Sequence, residues 1–156
     1  MSRRQALERE TLDRCFGEIW PIHHHAFTAL LIECARHFEG DLREMLVLSI
    51  IGDRTLEKGR TDGLTYDQFV SGRRSDDATR RINVQSIADC SGIPRETVRR
   101  KVERLVRRGW VERAADGTLV VAQQAAVDLA PATRATFDYF LAVGNALLHA
   151  VDRPRD

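Results

Sequence analysis

Cysteine is scarce in this chain, and long apolar runs are missing. The 156 residues include three cysteines, Cys15, Cys34 and Cys90. An odd number without paired spacing argues against a disulfide framework and favours a reducing compartment. No uninterrupted apolar run is long enough to span a bilayer, and the N-terminus lacks the apolar core of a signal peptide. These absences predict a soluble, cytoplasmic protein without a membrane partner.

Catalytic motifs are missing as well. The sequence contains no glycine-rich phosphate loop, no nucleophile elbow and no metalloprotease His-Glu pair. We therefore predict a protein that is not an enzyme and needs no cofactor.

Five side chains suggest a metal site. Cys34 and His37 lie one helical turn apart and could share a face as two ligands, whereas three successive histidines point in different directions on a helix. Such residues are more often packed in a core or solvated than bound to metal. We predict no metal at this group, which comprises His23, His24, His25, Cys34 and His37.

Overall positive charge is slight, because 24 basic residues face 23 acidic ones and the net charge is +1. Its distribution is uneven. Between Arg80 and Arg113, ten basic residues face four acidic ones, a local charge of +6 that leaves −5 for the rest of the chain. A basic patch on an acidic body is expected where one face meets phosphate and the others do not.

The segment 82–121 carries the local signals of a helix, a tight turn, a second helix and a β-hairpin. Gly92 suits the turn, and Pro94 suits the first position of the second helix, predicted over 94–108. Gly109 ends that helix, and alternating residues around an Asp116-Gly117 turn predict the hairpin. One face of the predicted helix is apolar and the opposite face is basic. The apolar residues are Val98, Val102, Leu105 and Val106.

The run GIPRETVRR from Gly92 to Arg100, followed by Leu105, Gly109 and Val111, resembles the helix-turn-helix of the cyclic-AMP receptor protein/Fnr superfamily. The resemblance covers about a quarter of the chain. It implies a winged helix-turn-helix in which Arg95, Glu96 and Arg100 face base edges. Arginine can bond guanine bidentately and glutamate can accept from cytosine N4, so the set suits base reading. The predicted contacts to the DNA backbone are Arg99, Lys101, Arg104 and Arg113.

Each of these residues also has a simpler interpretation. An arginine-rich helix face can be merely solvated, and Glu96 can stabilise the helix dipole or pair with Arg100. Four arginines of the preceding polar segment could reach flanking phosphates or could lie in a solvated loop. They are Arg73, Arg74, Arg80 and Arg81.

The remainder of the chain is predicted to be helical. We predict helices over 2–20, 22–38 and 41–51, interrupted at Pro21, with Asp41 capping the third, then a short helix near 65–70. A link over 123–130 and a final helix over 131–151 follow. The predicted fold class is mainly α with a small β-wing: a winged helix-turn-helix flanked by N-terminal and C-terminal helices. Four regions result: a helical scaffold or dimer region (1–51), a connecting loop (52–81), the winged helix-turn-helix (82–122) and a C-terminal helix (123–156).

The C-terminal helix carries apolar residues close to a heptad seam. This seam either packs on the N-terminal helices of its own chain or forms a homodimer, which we favour. The layout is similar to that of MarR-type regulators, in which terminal helices form the dimer. The helical N-terminal half does not resemble a cyclic-nucleotide domain. The seam consists of Phe137, Phe140, Leu141, Gly144, Leu147, Leu148 and Val151.

These patterns predict a bacterial-type, dimeric transcriptional regulator that binds specific double-stranded DNA. One alternative is a winged-helix protein-interaction module without sequence-specific DNA binding. Another is a repressor whose helical body senses a metal or a small-molecule effector of unknown identity.

Overall fold

The computed structural model describes residues 7–55, 63–71 and 82–152. These residues are mainly helical and include one two-stranded antiparallel sheet, which confirms the coarse fold class. None of the described helices combines the length and apolarity needed to cross a membrane. In chain order the elements are α1 (Arg9–Arg14), α2 (Phe16–His37), α3 (Leu42–Thr55), α4 (Tyr66–Ser71), α5 (Val84–Ser91), α6 (Arg95–Arg107), β1 (Val111–Arg113), β2 (Leu119–Val121), α7 (Gln123–Asp128) and α8 (Ala130–Asp152).

The chain divides into two compact units. A terminal unit comprises Met1–Arg36 and Pro131–Asp156, and a central unit comprises His37–Ala130. The terminal unit therefore contains α1, most of α2 and most of α8, whereas the turn, the hairpin and α3 to α7 belong to the central unit.

In the terminal unit the first helical break differs from the prediction. The chain leaves helical geometry at Cys15, where φ is −100° and ψ is 14°, and Pro21 lies inside α2. The expectation that Pro21 interrupts the helix was wrong. Proline removes one backbone hydrogen bond and its ring crowds the preceding turn, yet α2 continues beyond it to His37.

The apolar core of the terminal unit is small. Cys15, Ile19 and Ala150 are buried, with Leu147 packed against them. Beside them, Tyr139 of α8 lies across His23 of α2, whose Nδ1 is 3.1 Å from the Tyr139 hydroxyl. The predicted seam of α8 is therefore mostly not the face that packs on α2. Its large residues Phe137, Phe140, Leu141 and Leu148 are exposed.

The central unit is built on α3, which contacts α5, α6 and β2. The third predicted helix therefore packs against both helices of the turn and against the hairpin. Asp41 caps it, since its Oδ1 accepts a hydrogen bond from the Glu44 N–H at 3.0 Å. Val47 and Ile51 are fully buried in the core of the unit. They pack with Phe38, Leu48, Ile82, Ile87, Ile93, Val98, Val102, Leu105, Trp110, Val111, Leu119 and Ala125.

Local capping fixes the short helices. Thr65 and Gln68 cap the start of α4 reciprocally: the Thr65 N–H donates to Gln68 Oε1 at 2.8 Å, and the Gln68 N–H donates to Thr65 Oγ1 at 3.3 Å. The short helix predicted near 65–70 is thereby confirmed. Asn83 caps α5 by accepting from the Ser86 N–H at 2.9 Å.

A tight turn joins α5 to α6. Gly92 has a φ of +69°, in the left-handed region where a side chain costs about 1–2 kcal/mol, so the glycine is needed for its backbone conformation. The second helix begins one residue later than predicted. Pro94 has a ψ of 134° and precedes α6 as its N-cap, because only its fixed φ and not its ψ is helical.

The predicted hairpin is present and antiparallel. Val111 pairs with Val121 and Arg113 with Leu119, and Gly117 has a φ of +81° in the connecting turn. Ile82 bridges to Leu119 and ties the start of this segment to the hairpin.

The predicted link after the hairpin is wrong, because α7 occupies most of it. The Trp110 indole N–H donates to Asp128 Oδ2 at 2.8 Å, and the Gln123 amide donates to the Val70 carbonyl at the end of α4. These two contacts hold α7 in place. The final helix then begins at Ala130, one residue before the predicted start.

Candidate nucleic-acid interface

Helix α6 has one apolar face and a charged remainder. Val98, Val102 and Leu105 are fully buried against the central unit. Because a helix turns 100° per residue, the positions opposite these three carry the side chains that can meet a partner. The basic residues of α6 divide between two sides of the helix, which differ in what they contact.

Three arginines of α6 form what we call the outer row: Arg100 and Arg107, which share the face opposite the buried residues, and Arg95, which is exposed at the first turn. All three are exposed, and none forms an ion pair with a residue of the described ranges. Arg113 on β1 is also exposed and has no ion pair within the same ranges. Within the part of the chain that the structure describes, four guanidinium groups on α6 and the hairpin are thus available to an anionic partner.

Glu96 and Arg99 form a separate network on the exposed surface of α6. Arg99 Nε donates to Glu96 Oε2 at 2.9 Å and its Nη2 to Glu96 Oε1 at 2.6 Å, and Arg99 also contacts Glu103. The hydrogen bonds to Arg99 lower the pKa of Glu96, and those to Glu96 and Glu103 raise the pKa of Arg99. Glu96 therefore pairs with Arg99 at i+3, whereas the sequence suggested Arg100 at i+4.

The flank of α6 that faces α3 carries what we call the inner row: Lys101, Arg104 and Arg108. Lys101 binds Asp41, and Arg104 Nε lies 3.0 Å from Glu44 Oε2. These two lysine and arginine side chains, predicted to contact the DNA backbone, are committed to carboxylates of the same chain.

Arg108, which directly follows α6, makes the most contacts of the inner row. Its Nη1 lies 3.4 Å from Glu44 Oε1, and its Nη2 donates to the His37 carbonyl at 2.7 Å. Its guanidinium carbon is 3.6 Å from the centre of the Trp110 ring. A planar cation that stacks and binds a carboxylate at once is a role that arginine fills better than lysine.

Asp41 and Glu44, at the start of α3, are the carboxylates that pair with the inner row. Glu44 is fully buried, a placement rare for a carboxylate unless it is paired. Burial opposes ionisation of Asp41, but hydrogen bonds from Lys101 and from the Glu44 N–H outweigh it and lower the pKa of Asp41. Both carboxylates are therefore partners of α6 as well as parts of α3.

Two residues of this region were missed in the sequence. Arg107 lies seven positions after Arg100, which places both on the same helix face, so the helical period could have identified it. Glu44 was not among the predicted site residues. Its position directly before the mostly apolar run from Met45 to Ile51 was the available sign that its carboxylate needs a buried partner.

Other candidate residues are not brought into this surface. Arg73, Arg74, Arg80 and Arg81 lie outside the described residues. His23, His24, His25, Cys34 and His37 all belong to α2. Among the described residues, no three histidine, cysteine, aspartate or glutamate side chains are grouped closely enough to hold a metal ion.

Comparison of the chain with protein-family models, with curated proteins and with solved structures found no match. Interpretation of the surface therefore depends on its geometry and charge.

Proposed function

We propose that this chain is a sequence-specific DNA-binding regulator with a winged helix-turn-helix. In this proposal α6 enters the major groove, the hairpin β1–β2 is the wing, and Arg95 and Arg100 read base edges. The observation that carries it is the outer row: exposed arginines, without an ion pair among the described residues, on a helix that follows a tight turn and precedes a hairpin. An arginine row of this kind suits both guanine edges and phosphates.

Glu96 can read a base only if it first leaves its partner Arg99. Its carboxylate is held by Arg99, so reading a cytosine requires exchange of that exposed pair for the base. Exposed ion pairs contribute little to stability because water screens them, so this exchange costs little. Arg99 released in this way can reach a phosphate, which retains its predicted role.

We further propose that the chain acts as a homodimer through the exposed apolar side chains of α2 and α8. Eight large residues on these helices are 40–65% exposed. Each offers on the order of 100 Å² of accessible area, and together they approach the roughly 800 Å² that each partner contributes to a standard interface. They are Phe16, Trp20, Phe27, Ile32, Phe137, Phe140, Leu141 and Leu148.

Selection from a pool of random duplex DNA tests the proposal directly. A dimeric regulator should enrich an inverted repeat whose half-sites lie about 10–10.5 bp, or a multiple of this, apart. A variant with Arg95, Arg100 and Arg107 all changed to glutamine should enrich no motif. If the wild-type protein enriches no sequence from the pool, sequence-specific binding is contradicted and a protein-docking role for the same face is favoured.

A further inference from the structure

Asp41 and Glu44 hold the inner row against α3, and this arrangement bears on how α6 would bind DNA. Lys101, Arg104 and Arg108 recur at i, i+3 and i+7, which puts them on one flank of the helix. All three reach the first turn of α3: Lys101 and Arg104 contact Asp41, and Arg104 and Arg108 contact Glu44. The contacts connect residues about 60 positions apart in the sequence.

Burial makes the Glu44 contacts obligatory. The carboxylate is fully buried, so it cannot exchange its arginine partners for water. Arg104 Nε is close to Oε2 at 3.0 Å, yet Oε2 has no aligned hydrogen bond, so the attraction is chiefly electrostatic. Removing one partner of such a pair leaves an uncompensated buried charge, which is strongly destabilising.

The two rows therefore differ in availability. A guanidinium that moved from Glu44 to a DNA phosphate would leave the buried carboxylate with one arginine partner instead of two. The outer-row arginines carry no such penalty, because their side chains are exposed and have no ion pair among the described residues.

We propose that Asp41 and Glu44 are positioning residues, which fix α6 through the inner row so that the outer row contacts DNA and the inner row does not. This inference rests on the proposed function. It reassigns Lys101 and Arg104 from backbone contact to positioning, and it adds Arg107 to the residues that contact the backbone.

Three variants separate the two rows: Glu44→Gln, Arg104→Gln and Arg107→Gln. Asp138→Asn, at an exposed position of α8, is the control for loss of one negative charge. For each we would measure the melting temperature, the salt dependence of binding to the selected duplex, and the ratio of specific to non-specific affinity. Binding is measured at a temperature where every variant is fully folded.

Glu44→Gln and Arg104→Gln should each lower the melting temperature by about 5–10 °C. They should also lower the specificity ratio by about tenfold or more, because a displaced α6 loses base contacts before it loses phosphate contacts. Their salt slopes should stay as in the wild type. Arg107→Gln should lower the salt slope by about one with an unchanged melting temperature.

Opposite results overturn the inference. If arginines of the inner row can bind phosphate, Glu44→Gln releases them and binds DNA more tightly with a steeper salt slope. A drop of about one in the slope for Arg104→Gln has the same meaning. An unchanged specificity ratio in the folded variants would mean that Asp41 and Glu44 have a structural role only.

The two proposals can fail separately. If the wild-type chain binds no duplex, the proposed function fails and no row contacts DNA. The melting temperature of the Glu44→Gln/Arg104→Gln double variant then tests whether Glu44 positions α6. A melting temperature no lower than that of the single variants supports coupling, and additive losses exclude it.

Discussion

The guanidinium carbon of Arg108 lies 3.6 Å from the centre of the Trp110 indole ring, while the same group binds Glu44 and the His37 carbonyl. One side chain thus joins the end of α2, the first turn of α3 and the start of the hairpin. Trp110 is in turn bonded to Asp128 of α7. The hydrogen bond from the Trp110 indole, with a second from Gln124, lowers the pKa of Asp128.

Arg108→Lys should destabilise the chain although it preserves the charge. The lysine ammonium has no plane to stack on Trp110 and no fork of N–H groups to bind two acceptors. We therefore expect a loss of about 1–2 kcal/mol in the free energy of unfolding. Urea denaturation followed by circular dichroism measures this loss. Arg107→Lys, at an exposed position, should change the same quantity by less than about 0.5 kcal/mol. Equal effects of the two variants would show that the stacking adds nothing.

Arg95→Ala should relax base preference at one position of each half-site. A bidentate arginine contributes about 1–3 kcal/mol of discrimination against a wrong base, so affinity for the best site should fall while single-base variants at that position become equivalent. Binding of the wild-type and variant proteins to a set of singly substituted duplexes measures this. A uniform weakening across all duplexes would assign Arg95 to the backbone.

Asp41→Asn should reveal a pH-dependent part of stability. Because the pKa of Asp41 is lowered on folding, its charge stabilises the folded chain fully above the unfolded value of about 3.9, and this contribution is lost as the pH falls through the folded value. Asparagine is an equally good N-cap, so the change removes the charge and keeps the cap. At pH 7 we expect a loss of about 1 kcal/mol.

Urea midpoints between pH 7 and pH 3 test this prediction. The gap between wild type and Asp41→Asn should close as the pH falls below about 4, since the wild-type carboxylate is then protonated as well. Asp138→Asn, at an exposed position of α8, is the matched control and should follow the wild type throughout. A gap that stays constant with pH would mean that the introduced asparagine disturbs packing and that the charge is not responsible.

Leu148→Glu should convert the proposed dimer into a monomer. Leu148 is 65% exposed on α8, so the change costs the isolated chain little, whereas a buried interface cannot accommodate an unpaired carboxylate. Light scattering after size exclusion measures the mass, which is 17.7 kDa for one chain. Ser49→Glu adds the same charge at an exposed position of α3, outside the terminal unit, and should remain dimeric. A wild-type mass of one chain would refute the dimer.

Much of the architecture could be predicted from local signals. Asp41, Gly92 and the hairpin turn were identified because a cap or a positive φ depends on a few neighbouring residues. The class of each long element followed from apolar periodicity, as for Val98, Val102 and Leu105.

The features that local patterns missed share a cause: each depends on contacts distant in sequence. Helix α7 is held by Trp110 and by the carbonyl of Val70, which no local pattern reveals. The same reason explains why the sequence did not reveal what Lys101 and Arg104 contact within the chain. Their partners in α3 lie about 60 positions earlier in the chain.

The buried carboxylate of Glu44 has a consequence for folding as well as for binding. Valine and leucine side chains pack against α3 in several closely related ways, so an apolar interface alone tolerates a helix displaced by one turn. An interface that contains a buried charge does not tolerate this shift, because displacement would separate Glu44 from Arg104 and Arg108. Competing compact states in which α6 is shifted along α3 are therefore raised in energy, and the native arrangement is separated from them by a wider gap.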